Sequence, residues 1–325
     1  MNYGIISIDV ECDKGAEWKI QRPLKFSSVL EAIPNTLAPL FRSMDIPATL
    51  LLSPEVIKSH ECAESLGNHI DQSTELGTHL HGEFIAPQPF FNCSKTSMMQ
   101  KAYKPDIEFK KMENLTRLFI DTFATSPTSF RAGRFGLSEN TLKFLCDLGY
   151  KVDTSVAPFM HWKNQIHFYG APTRPYFPSM SNPLQSGAAD IIEIPVTIGN
   201  RIWERFPTLS KTVPEHPLFW GFLRKYLHLE HLFRSVWLRP TFSTVKEMKT
   251  LIQRMIKRNE GKQTLYFNIM FHSVEFALGC SPYSGSTTKI ELLHRRLESI
   301  LHYLHHLNTK FITLTEAAER FRESQ

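Results

Sequence analysis

The strongest constraint in this chain is its alternation. Short apolar, β-branched runs recur at residues 3–10, 48–53, 75–79, 129–132, 151–156, 190–196, 264–272 and 311–314. Between them lie segments with apolar residues at helical spacing, at 36–43, 55–70, 107–123, 138–148, 244–259 and 287–307. A strand followed by a helix and another strand closes most readily as a parallel pair with a helical crossover. Repetition of that unit some seven times predicts a parallel sheet curled into a barrel.

Three stretches break the rhythm: 86–105, rich in Pro, Ser and Asn, then 159–189 and 199–241. Strands resume after each, so they read as long loop insertions, and residues 1–325 as one domain. Hydrophobic residues make up 42% and charged residues 21%, enough apolar material for a packed core and far from a disordered composition. Thirty-seven basic against 32 acidic residues give a net charge of +5, too mild to point to nucleic acid. Five scattered cysteines without a C-x-x-C pair predict neither a disulfide framework nor a cysteine zinc knuckle. The first residues lack a basic stretch leading into a long apolar one, and no run reaches the ~18 apolar residues of a membrane span. The expected location is cytoplasmic.

In a parallel barrel, functional side chains collect where strands run out into loops. Those positions hold Asp9 and Glu11, His79 and His81, Arg131, Asp153 and His272. In extended chain, residues two apart share a face, so Asp9 and Glu11 converge, as do His79 and His81. Two close carboxylates favour a metal or a proton between them, and two imidazoles on one face make half of a zinc site. Taken singly, several have plain readings. Asp9 and Glu11 fit a solvated turn, since Asp13 and Lys14 follow; Arg131 fits a surface turn; Asp153 fits a cap; His272 fits a core histidine.

The order of these groups along the chain resembles the polysaccharide deacetylases of the NodB-homology group, carbohydrate esterase family four. The matching stretches are Ser7 to Glu11, Glu75 to His81, Phe130 to Leu142, Val152 to Val156, and Met270 to Ser273. The resemblance implies a distorted (β/α) barrel of about seven parallel strands holding a divalent metal, usually Zn2+. It implies Asp9 as general base, Arg131 as the group orienting it, His272 as general acid and Asp153 as a further catalytic residue. Glu11 and His79 fall on the metal positions. The sequence departs from the family where a second histidine usually stands four residues after the first, a place held by Glu83. His81 is therefore the expected third ligand and Glu83 its rival.

The function so implied is hydrolysis of an N-acetyl group on a sugar, a polysaccharide or its precursor. Alternatives are a catalytically inactive glycan-binding barrel and an amidase acting on a small nitrogenous metabolite. A cytoplasmic location suits lipid-linked or nucleotide-linked sugar substrates. The insert at about 201–240 carries seven Lys/Arg against three Glu and three of the five tryptophans, Trp203, Trp220 and Trp237. From Leu218 onward its apolar residues recur at helical spacing. That stripe fits packing on the barrel or a homodimer contact, or peripheral attachment to an anionic inner membrane.

Overall fold

A computed structural model describes residues 1–87, 99–162, 167–213, 216, 219, 220, 222 and 233–325. Eight strands form one sheet: β1 (Asn2–Val10), β2 (Thr49–Leu52), β3 (Glu75–Leu80), β4 (Ser129–Ala132), β5 (Val152–Asp153), β6 (Ile192–Glu193), β7 (Leu265–His272) and β8 (Thr309–Phe311). Seven run in the order β7-β1-β2-β3-β4-β5-β6, and β8 pairs with the first residues of β1. Every pairing in this sheet is parallel. The sheet curls, and the gap between β6 and β7 is bridged by Thr197 N–H to Asn268 O (3.0 Å) and Met270 N–H to Leu238 O (3.3 Å).

Both faces of the strands are buried, which is why they read as continuous apolar runs. In β1, Ile6, Ile8 and Val10 face the surrounding helices, while Ile5 faces the barrel interior with Leu51, Val152, Ile192 and Tyr266. Helices around it include α1 (His60–His69), α2 (Pro105–Phe123), α3 (Thr141–Asp147), α4 (Val245–Asn259), α5 (Thr287–His306) and α6 (Leu314–Glu323). Thr244 caps α4 in a reciprocal capping box with Glu247. Lys111 of α2 is fully buried and donates to the carbonyls of Gly82 (2.7 Å), Ile85 (2.9 Å) and Pro87 (2.7 Å), fixing the loop that leaves β3.

The strands expected at 151–156 and 190–196 shorten to Val152–Asp153 and Ile192–Glu193, and further elements differ. The helix expected at 55–70 is two, Pro54–Lys58 and α1, because Ser59 is extended and its hydroxyl caps α1 at Cys62 N–H. The helix expected from residue 36 begins at Ser28, with wide turns around Pro34, whose missing N–H breaks the regular ladder. The strand expected at 311–314 ends at Phe311, and α6 follows. Thr313 caps α6, which lays Leu314, Ala317 and Ala318 against the bottom of the barrel interior.

In the insert, Trp203 and Trp220 are buried edge to face at 5.2 Å, and Phe233 packs on Trp203 at 5.2 Å. Trp237 is also buried. These rings therefore pack inward. Phe206, Leu209, Phe219 and Phe222 remain exposed. Most of the helical stripe expected after Leu218 lies outside the described residues. Among the described residues, no helix is long and apolar enough to cross a membrane.

Candidate active site

Strand register assembles the site. Asp9 lies opposite His272 in the β1–β7 pair, and His79 opposite Arg131 in the β3–β4 pair. Along β1, Ile5, Ser7 and Asp9 share the inward face, so the barrel interior passes from apolar at its base to polar at its mouth.

Glu11 Oε1 sits 3.0 Å from His79 Nε2 and 3.0 Å from His81 Nε2, and the two Nε2 atoms are 3.1 Å apart. All three residues are buried. Bonds of ~2.0–2.1 Å in a tetrahedral zinc site place neighbouring donors about 3.3 Å apart, close to this spacing. The tautomers also fit. His79 Nδ1 donates to the Arg131 carbonyl (3.0 Å), and His81 Nδ1 faces Glu83 Oε1 (3.3 Å), so in both rings Nε2 is the atom turned toward Glu11 and available as a ligand. Although burial opposes charge on His81, Glu11 and Glu83 push it up to about 9. Burial likewise opposes charge on Glu11, yet His81, Lys14 and His79 hold its carboxyl well below the usual range. Such a donor set calls for a cation at its centre.

Glu83 does not reach that centre. It is clamped by Arg134 (2.6 and 3.3 Å) and stands behind His81 as its orienting carboxylate. Lys14 Nζ pairs with Glu11 Oε2 at 2.8 Å. Asp13 takes the N–H groups of Ser27 and Ser28, so the segment after Glu11 is a buried, bonded turn rather than a solvated one.

Asp9 has two distinct oxygens. Oδ1 accepts from Arg131 Nη1 at 2.5 Å, while Oδ2 lies 3.8 Å from His79 Nε2 and 3.6 Å from His272 Nε2. Burial works against its charge, but Arg131, His79 and His272 hold it below the ordinary aspartate range. Arg131 has no solvent exposure and spends its other donors on Ser7 Oγ (2.7 Å) and Thr154 O (3.0 Å). His272 Nδ1 faces Glu275 Oε1 at 2.9 Å, and Arg239 pairs with that same carboxylate and reaches His272 Nδ1 at 3.0 Å.

Asp153 is the site residue the structure does not bring in. Its neighbours Val152 and Thr154 point inward, so strand alternation turns Asp153 to the other face, against Ser155 and Glu193. Conversely, Arg239, Glu275 and Lys14 belong to the site without having been singled out. Glu275 carried one readable signal, its place three residues after His272. Arg239 sat unmarked among the basic residues of the insert.

The cluster floors a cleft of about 390 Å3 whose walls include Trp18, Phe135, Trp162, Trp237, Phe242 and Tyr283. Trp18 meets His272 edge to face at 5.2 Å. Arg134 and Phe135 both hold left-handed φ angles, +57° and +53°, a conformation unfavourable by about 1–2 kcal/mol for each non-glycine residue.

No protein-family model matches the sequence, and no curated protein matches it. Solved structures do. A protein assigned as a polysaccharide deacetylase from Mycobacterium smegmatis is similar with a TM-score of 0.54 at 13% identity, over 99% of this chain and 90% of that one. The fold is the distorted barrel of the NodB type. The Puue allantoinase is similar at a TM-score of 0.55 and 13% identity, over 99% and 91%. A GH57-type branching enzyme from Pyrococcus horikoshii gives 0.51 at 9% identity, over 98% and 70%. The architecture is thus shared with proteins named for different reactions, and the chemistry must be read from the side chains.

Proposed function

We propose that this protein is a metal-dependent amide hydrolase, and specifically a deacetylase of an N-acetylated sugar. The observation that carries the reading is the convergence of Asp9, Glu11, His79, His81 and His272 in two overlapping groups whose donor atoms lie within 4.8 Å of one another. Glu11, His79 and His81 would hold the divalent ion, most reasonably Zn2+ for one carboxylate and two imidazoles. Such an ion supplies Lewis-acid polarisation of an amide carbonyl and lowers the pKa of water.

The chain's own groups supply the proton traffic. Asp9 Oδ2, free of Arg131, takes a proton from the attacking water, and Arg131 keeps the carboxylate charged until then. His272 stands across from Asp9 and protonates the departing amine, with Glu275 and Arg239 fixing its ring. The aromatic walls suit the apolar faces of sugar rings. An amidase of a small nitrogenous metabolite shares this chemistry, and the aromatic cleft favours the sugar.

The test is acetate release from N-acetylated oligosaccharides by metal-loaded protein. His79→Ala and Asp9→Asn should each lower kcat/KM by at least 100-fold, in the range general acid–base groups contribute. Full activity in either variant, or acetate release unaffected by chelators, would remove the assignment.

A further inference from the structure

We propose that the cleft selects an N-acetylated sugar carrying an anionic group, a carboxylate or a phosphate, received by the outer edges of Arg239 and Arg134; this rests on the deacetylase reading above. Four cations line the cleft, Lys14, Lys19, Arg134 and Arg239, against one acid, Glu11. Glu11 is already committed to the two histidines and Lys14. The acids paired with the two arginines sit behind them. The Glu83 and Glu275 side chains have no exposure, while those of Arg134 and Arg239 are 35% and 5% exposed, the latter only at its edge. Each pair therefore presents its positive end to the cleft and its negative end to the protein.

Arg239 is the better built of the two. Its Nε donates to Thr241 Oγ1 (3.0 Å), and its Nη2 serves His272 and Glu275. Nη1, with two N–H donors, makes no hydrogen bond among the described residues. The guanidinium lies 4.1 Å from the Phe242 ring centroid and 5.9 Å from that of Trp237, which fixes its plane. A planar, pre-organised pair of donors beside an aromatic wall matches the two oxygens of a carboxylate or phosphate. Arg134 is held in a left-handed conformation that glycine would adopt without strain. Glycine would lack the side chain that carries the charge into the cleft. Beyond steadying His272 and clamping Glu83, Arg239 keeps Nη1 and Arg134 its exposed edge to meet an anion.

The measurement is calorimetric binding of three probes: chitotetraose, which is neutral; a hyaluronan tetrasaccharide, which carries carboxylates; and UDP-N-acetylglucosamine, which carries phosphates. At least one anionic probe should bind tenfold or more tighter than chitotetraose, and only that binding should weaken with salt. Tight hyaluronan points to a carboxylate, tight UDP-sugar to a phosphate. In Arg134→Gln the anionic-to-neutral ratio should fall at least threefold, and Arg134→Lys should restore part of it. Equal affinity for neutral and anionic probes, or a ratio untouched by Arg134→Gln, overturns the inference. Acetate release followed in parallel separates the two readings. Turnover of chitotetraose with no anionic preference removes only the anion subsite, and anionic preference without acetate from any probe removes only the deacetylase.

Discussion

Replacing Glu193 by glutamine should make the protein more stable near neutral pH. Asp153 and Glu193 face each other in the β5–β6 register, and both are fully buried. Burial pushes Asp153 up from 3.8 to about 6, and burial together with the Asp153 charge pushes Glu193 well above its ordinary range. Asp153 Oδ2 finds no donor in the protein, as expected where one proton is held between two carboxyls. A raised folded-state pKa means that the native state binds the proton more tightly than the unfolded chain. Stability from this pair is thus fully present below the unfolded carboxylate pKa and is lost as pH rises through about 6. In Glu193→Gln, the amide oxygen can keep the Val156 N–H bond and the NH2 can donate to Asp153, which then ionises beside a donor. Urea unfolding from about pH 4 to 8 is the assay. The wild type should lose stability across the window, while the variant, with one buried carboxyl fewer to ionise, should lose less and be the more stable near pH 7. Parallel profiles, or a variant less stable than wild type at pH 7, would refute the shared proton.

Other consequences are as direct. His81→Ala should abolish tight zinc binding, whereas Glu83→Gln, which only disturbs the orientation of His81, should cost about 10–100-fold in affinity, measured by competition with a chelator. Lys111→Met leaves three buried carbonyls without their donor and should destabilise by about 3 kcal/mol, read from urea unfolding. Phe206, Leu209, Phe219 and Phe222 form the exposed apolar part of the insert, so wild type should co-sediment with anionic liposomes at low salt and Phe219→Ser/Phe222→Ser should not. Equal pelleting of both would show that these rings touch no membrane.

The barrel was legible because its strands are apolar on both faces and are punctuated by polar ends. That same feature hid their phase. The run 151–156 gives no sign of which face Asp153 takes, and only the inward turn of Val152 and Thr154 decides it. At Asp9 and Glu11, or His79 and His81, the pairs at i and i+2 carried their own phase, and they converge as the spacing implied. Arg239 and Glu275 meet through loop closure, which leaves no periodic trace. α6 was different, because Thr313 and Glu316 form a readable helix-start pattern that the apolar run before them obscured.

The pairing of β1 with β7 also bears on how the chain is made. Roughly 250 residues separate these strands, and at ~5–20 residues per second a ribosome takes roughly 13–50 s to supply the missing neighbour. Through that interval the edge of β1 that will receive β7 is an unpaired apolar template, open to any other extended chain. Release of the chain before residue 265 leaves a fragment with that edge permanently bare and without His272. Newly made chains of this protein should therefore depend on chaperone cover late in synthesis, and early termination should yield aggregates rather than a soluble part-barrel.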